Sequence, residues 1–391
     1  MAWAVRSDMK GSDAMKWRSI LGFALLVLLG LLAGCGSDTI KPAELVNFKP
    51  TARAQVVWRE SVGSADVYIF TPAIYDGAVY AAGAGGTLAR FDANTGKQMW
   101  RIDTKEALSG GVGADAGMVV VATRKGAVLA YDVRGKRVWR SQVSSEVLMA
   151  PRISEGVAVV RSGDGKIYAL NAKDGTPKWE YRFNLPPLLL RSDAGVVITR
   201  SIVLAGLAAG KVVALNLENG IVLWEATLAQ PKGANELERI TDIAAAPSIE
   251  SDQACAVTFQ GRVGCYDIVR GTLLWSRDGS SSVALGVDPI TVYMSDAKGT
   301  VYALDKNTGA TIWKQDKLTA RSVSAPVQLS LFVAVGDFEG YVHFLDRDDG
   351  GFAVRLATDG SQIKARPVRL GPNVLVQTRD GALYAISVKQ L

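Results

Sequence analysis

Residues 299–313 read GTVYALDKNTGATIW, and close copies recur along the chain: GTLARFDANTGKQMW (86–100), GAVLAYDVRGKRVW (126–139), GKIYALNAKDGTPKW (165–179), GKVVALNLENGIVLW (210–224) and GRVGCYDIVRGTLLW (261–275). Each phrase has the form of a hairpin. Its first half alternates around β-branched and aromatic residues, as a half-buried strand does. An Asp or Asn follows, whose side chain can cap the turn, and then a Gly suited to a left-handed backbone. The second half is a strand that ends on Trp. Upstream of each phrase lies a further short pair of strands opened by small residues and Pro, as in SAPVQLSLFVAVGDFEG (324–340). Each unit therefore offers four short antiparallel strands.

One such sheet cannot bury both faces, but stacked units can. A seventh phrase, GYVHFLDRDDGGFAV (340–354), places Val354 where Trp belongs, and an eighth, GALYAIS (381–387), stops four residues short of Leu391. The leading glycines are 40, 39, 45, 51, 38, 41 and 41 residues apart, which brackets the ~40–50-residue blades of β-propellers. The expected fold is all-β: an eight-bladed propeller of four-stranded antiparallel blades. The last blade lacks a Trp-bearing strand, whereas AQVVWRE (54–60) carries Trp58 with no phrase before it. The N-terminal strand should complete the C-terminal blade and close the ring, leaving no long free edge. Trp58, Trp100, Trp139, Trp179, Trp224, Trp275 and Trp313 are then wedges between neighbouring blades, each with an indole N–H free to reach a carbonyl.

Charge narrows the function classes. The chain of 391 residues has a net charge of +6 and a pI near 9.1, with Lys and Arg scattered rather than massed. Nucleic-acid binding draws on a concentrated basic face, and no such run is present. The sole histidine, His343, lies within a strand and reads as a packed residue rather than a metal ligand. Asp92, Asp132, Asp267, Asp305 and Asp346 occur one per repeat, as turn caps do, and no cluster of metal-ligating residues stands out. No nucleophile elbow or phosphate-cradling loop is evident, so no catalytic residues, metal or cofactor are expected.

The N-terminus carries a targeting signal. Lys16-Trp17-Arg18 precede the apolar run ILGFALLVLLGLLA (20–33), followed by Gly34-Cys35. The run is short for a span of about 20 residues and fits a secretory signal. Leu32-Ala33-Gly34-Cys35 resembles the bacterial lipobox, which implies cleavage before Cys35 and lipidation of its thiol. Gly36 in the next position implies outer-membrane retention. The expected organisation is a lipoprotein signal peptide over 1–34, a lipidated tether over 35–53 and the propeller over 54–391. Met1, Met9 and Met15 are all candidate starts. Export implies an oxidising compartment, where Cys255 and Cys265 face each other if their hairpin has a three-residue turn and are offset if it has two.

Two families bear on function. A WD-type propeller needs Gly-His and Trp-Asp in each repeat, and one histidine excludes it. The pattern A-L-D-x-x-T-G-x-x-x-W resembles the repeats of pyrroloquinoline-quinone dehydrogenases over nearly the whole chain after the signal. Many alcohol-oxidising members add an adjacent cysteine pair, which is missing here, and the chain is much shorter than those enzymes. The repeat is interrupted around its fourth unit, by RFNLPPLLLRSDAG (182–195) and TLAQPKGANELERITDIAAAP (227–247). Tolerated loop length and an exposed recognition patch are both open readings of these insertions. A lipobox, a short tether and an eight-bladed quinoprotein-like propeller together resemble the BamB family, outer-membrane lipoproteins of the β-barrel assembly machinery. That resemblance implies a non-catalytic scaffold on the periplasmic face that binds a POTRA domain of BamA, with outer-membrane protein precursors as further partners. The family's Leu-x-Leu-Arg loop falls on Leu188, Leu190 and Arg191, and an acidic partner on Asp242. A second family acid would fall at Ala244, so this chain departs there. The alternative is a pyrroloquinoline-quinone-dependent dehydrogenase-like enzyme, or a propeller binding a small ligand or glycan through its centre.

Overall fold

The computed structural model describes residues 41–188, 190 and 194–391. The lipobox and Cys35 lie outside the described residues, as do the signal peptide, Leu189 and Arg191. From Ala52 onward the chain forms eight four-stranded antiparallel sheets. In blade one the strands are Ala73–Tyr75, Ala78–Ala82, Thr87–Asp92 and Gln98–Asp103, hydrogen-bonded in that order from the axis outward. Blades two to seven repeat the order. Blade eight takes its fourth strand, Ala52–Ser61, from the N-terminus. It pairs with Ala382–Gln390 from Ala52 opposite Gln390 to Ser61 opposite Ala382. The ring is thus closed by the two ends of the chain, as the repeat count required.

Burial follows the period-two pattern. The second and third strands of each blade are sandwiched between sheets, and Ala78–Ala82 and Phe332–Gly336 are buried throughout. The fourth strands alternate, with one face open to solvent. Trp is placed there by register. Trp139, Trp179, Trp224 and Trp313 each sit opposite an Ala of the third strand (Ala130, Ala169, Ala214 and Ala303), which leaves room for an indole.

Each of the seven wedge indoles then donates its N–H to the carbonyl of the residue that follows the next blade's turn Asp or Asn. Trp58 donates to Ala93 O at 3.1 Å, Trp100 to Val133 O at 2.8 Å and Trp139 to Ala172 O at 2.8 Å. Trp179 reaches Leu217 O at 2.9 Å, Trp224 Ile268 O at 2.8 Å, Trp275 Lys306 O at 2.6 Å and Trp313 Arg347 O at 2.7 Å. The turn glycine lies beneath the ring. At Gly96, φ is +72° and a Cβ would fall 2.7 Å from the Trp58 indole, so both backbone and space demand glycine. The turn carboxylates cap as expected. Asp92 Oδ1 accepts from Thr95 N–H at 2.8 Å and Asp305 Oδ1 from Thr308 N–H at 2.8 Å. The threonine hydroxyls, which donate to the same oxygens at 2.8 Å, and then these amides hold both carboxyls below the usual range.

Two features were open or different in the sequence. Cys255 and Cys265 are directly opposed and joined in a disulfide; Thr258 N–H donates to Arg262 O across a three-residue turn. The segment expected to be a lipidated tether over 35–53 is docked on the ring from Ala43 onward. Ala43 N–H donates to Thr319 O at 2.9 Å and Thr51 N–H to Ala353 O at 3.0 Å, and the strand itself begins at Ala52.

Candidate functional site

Strand direction alternates within a blade, so the exit of each fourth strand and the entry to the next first strand lie on one face of the ring. Both insertions connect blades in this way, and so share that face. The first leaves blade three after Pro177–Arg182 and enters blade four at Val196–Thr199. Pro186-Pro187 removes two backbone donors and holds the chain extended. Leu185 and Leu188 are 37% and 40% exposed, large apolar side chains left in water on a short loop. Leu185 and Leu190 form the lip of a cavity of about 240 Å³, with Met149, Arg161 and Phe183 also in its wall.

Asp242 is not an exposed acid beside this loop. It is 4% exposed, and its carboxylate lies under the loop and fastens it. Oδ2 accepts from Leu190 N–H at 2.8 Å, and Oδ1 accepts from Ala209 N–H at 3.0 Å in the 3-10 turn Ala208–Gly210 of blade four. Its neighbours Thr241 and Ile243 are equally buried, and Ile243 N–H donates to Leu207 O at 3.1 Å. A charge removed from water this far is retained where hydrogen bonds satisfy it. Sequence spacing gave no sign of this, because an insertion has no periodicity to report burial.

Arg161, which the motif did not include, supplies the opposing charge. It projects from the strand Val157–Ser162, donates to Gly206 O and lies 5.1 Å from the Phe183 ring centroid. Burial draws its pKa down to about 10, and the nearby Asp242 charge works against that fall. The only hint in the sequence is an arginine interrupting the apolar run VAVVRS. Leu188, Leu190 and Asp242 are thus brought to one place, with Asp242 beneath. Ala244 is buried as well, so no acid stands at the second family position.

His343 is buried and its two ring nitrogens face protein groups. Its Nε2 is 3.0 Å from Asp337 Oδ2, and Arg355 Nε donates to its Nδ1 at 3.2 Å. Among the described residues no group of three or more His, Cys, Asp or Glu could hold a metal ion.

The family model described as outer membrane protein assembly factor BamB matches residues 84–315 and 297–391. A protein of that name from Burkholderia pseudomallei is 42% identical over 88% of this chain and 90% of its own. One from Bordetella pertussis is 40% identical over 92% and 96%. Among solved structures, BamB from Moraxella catarrhalis superposes with a TM-score of 0.79 at 24% identity, covering 86% of this chain and all of that one. A quinohemoprotein alcohol dehydrogenase from Comamonas testosteroni superposes at 0.69 with 13% identity, a likeness of fold alone. The relatives are named as assembly factors rather than dehydrogenases, and the chain belongs to the BamB family of outer-membrane protein assembly factors.

Proposed function

We propose that this propeller is a non-catalytic scaffold of the outer-membrane assembly complex, docking through its blade three–four loop onto a POTRA domain of BamA. The observation that supports this most is Leu188, left 40% exposed on a loop that Asp242 fastens from below. A fixed apolar lip loses little conformational freedom on binding, and each Å² it buries is worth about 25 cal/mol. Leu188 and Leu190 contribute that apolar area. Arg191 supplies a directional pair to a carboxylate or carbonyl of the partner. Asp242 acts on the partner through the backbone of Leu190. Cleavage after residue 34 and lipidation of Cys35, by palmitate among other chains, would hold the ring at the periplasmic face of the outer membrane. Tethering raises the effective concentration at the partner. Precursors of outer-membrane proteins are the cargo such a complex assists.

Combining Leu188→Ala with Arg191→Glu should reduce co-purification of BamA from solubilised envelopes at least about tenfold, the size of a ~1.4 kcal/mol loss. The thermal unfolding midpoint should stay within a degree or two. Undiminished co-purification by a folded variant removes this surface from consideration.

A further inference from the structure

Blades one, three, five, seven and eight open on Pro beside small residues, and two of these openings carry arginine instead of a neutral side chain: Pro151-Arg152-Ile153 in blade three and Ala365-Arg366-Pro367 before blade eight. Their flanking residues are buried, so both backbones are fixed while the side chains turn to the axis. There they meet in a cavity of about 310 Å³, walled by the entries to seven of the eight blades. Ala244–Pro247, Val283 and Val287 make much of its wall apolar, and Lys364 stands at the same wall. Among the described residues no Asp or Glu lines it. The volume is at the lower end for small-ligand pockets, ~300–1,000 Å³.

The two arginines differ from Arg321 and Arg161, the arginines held inside the ring by partners of their own. Arg321 is held by Asp337 and Glu339, and Arg161 by Gly206 O with Asp242 nearby. Among the described residues, the guanidinium groups of Arg152 and Arg366 have neither an ion pair nor a hydrogen bond, although the backbone of Arg152 pairs with Val159 in its sheet. Arg152 is exposed, lining both this cavity and a neighbouring one of blades two to four, and Arg366 is half-buried. Burial lowers the pKa of both, and Arg366, which also feels the charge of Arg152, falls to about 10. Two like charges in one enclosure repel, and an anion between them reverses the sign of that interaction. A guanidinium offers a planar fork of donors that matches carboxylate or phosphate oxygens two at a time.

We propose that the axial cavity binds a small polyanion, bearing phosphate or clustered carboxylates on a compact body, between the guanidinium groups of Arg152 and Arg366. Leu185, Leu188 and Leu190 of the blade three–four loop do not line this cavity, and its test does not depend on the docking reading.

Calorimetric titration of the full-length chain in detergent at pH 7.5 and low salt, with pyrophosphate and with citrate as probes and glucose as the neutral control, tests it. One of the two anions should bind one to one, and which of them does so separates phosphate from carboxylate recognition. Arg152→Gln with Arg366→Gln should weaken that binding at least about tenfold, because two charge-assisted forks are lost. Arg369→Gln, an exposed arginine outside the cavity, should leave it unchanged. Arg366→Lys keeps the charge without the fork and should weaken binding about threefold or more. It serves also if the double variant fails to fold, judged by its tryptophan fluorescence. Binding of neither anion, or affinity unchanged in Arg366→Lys and in the double variant, overturns the assignment.

Discussion

The junction between blades five and six and the junction between blades seven and eight solve one packing problem with different material. At the first, Trp275 is buried and its indole donates to Lys306 O at 2.6 Å across the gap. At the second the equivalent residue is Val354, half-buried and packed, as Leu356, Ala54 and Val388 are, against the core shared by the two blades. The difference follows from how the ring closes. In blade six, Lys306 sits in the turn between third and fourth strands. The matching position in blade eight is Val388, still inside a strand and paired with Ala54. No turn stands there to receive an indole, because that blade's last strand comes from the other end of the chain.

The N-terminal segment covers this exceptional junction. Phe48 stacks on Phe352 with centroids 5.3 Å apart, and the Arg355 guanidinium lies 5.3 Å from the Phe48 ring centroid. Arg355 also donates to Val46 O at 3.3 Å, and Arg321 to Ala43 O at 2.9 Å. Seven junctions are sealed by a repeated residue; one is sealed by a strap held in place by two arginines. Truncation at the two kinds should cost differently. Trp275→Ala should destabilise the ring by about 3–5 kcal/mol, whereas Val354→Ala, which removes two half-buried methyl groups, should cost about 1 kcal/mol. Denaturant unfolding of both variants measures the contrast, and equal losses would break it.

The strap depends on one buried carboxylate. Asp337 Oδ2 accepts from Arg321 at 2.8 and 2.9 Å and meets His343 at 3.0 Å, while Oδ1 accepts from the Tyr341 and Glu339 N–H groups. Burial pushes this carboxyl up, but the hydrogen bonds from His343, the Tyr341 amide and Arg321 outweigh burial and hold it below the usual range. Removing one partner of a buried pair costs about 3–5 kcal/mol. Asp337→Ala should fall near the low end, about 3 kcal/mol, because Arg321 keeps Glu339. Proteolysis between residues 43 and 51 should accelerate in parallel if Arg321 is what holds the strap. A destabilised ring whose strap stays protected would separate the two roles.

How much of this could be read from the chain depends on whether the information is local. The blade count, the Trp wedges, the Asp92-type caps and the closure by Trp58 are repeated within fifteen-residue phrases, so spacing alone exposed them. The Cys255–Cys265 bridge turned on a single residue of turn length, which composition does not settle. Asp242 looked like a surface acid because its partner, the Leu190 amide, is 52 residues away. The strap is harder still. Its arginine contacts bridge 278 and 309 residues of sequence, and its own residues, KPAELVNFKP, are those of a linker. Arg152 and Arg366 gave a faint signal, basic residues in openings otherwise small and neutral, whose meaning needed the axis to be built.

The smallest expected effect is a pH dependence confined to the strapped junction. His343 has Arg355 Nε donating to its Nδ1, so Nδ1 accepts and the proton of the neutral ring lies on Nε2, facing Asp337. Protonation would place a second proton on Nδ1, against a guanidinium that is itself a donor. Burial, with the charges of Arg355 and Arg321, lowers the pKa of His343 even though Asp337 favours the cation. The groups facing the imidazole are therefore Asp337 and the two arginines, with Tyr341 and Phe352 as ring neighbours. In the unfolded chain the imidazole binds a proton near its ordinary pKa of 6.5, and in the folded ring only below that. The unfolded state holds more protons in that window, so stability is complete above pH 6.5 and declines as pH falls, by at most ~1.4 kcal/mol per unit. Between pH 7 and 5.5 the loss should be at most ~1.3 kcal/mol and absent in His343→Gln, with Asp337 silent until pH falls below 3.8. The difference between the two unfolding curves isolates this junction from the seven sealed by tryptophan. Parallel curves would show that His343 accepts a proton within the fold as readily as outside it.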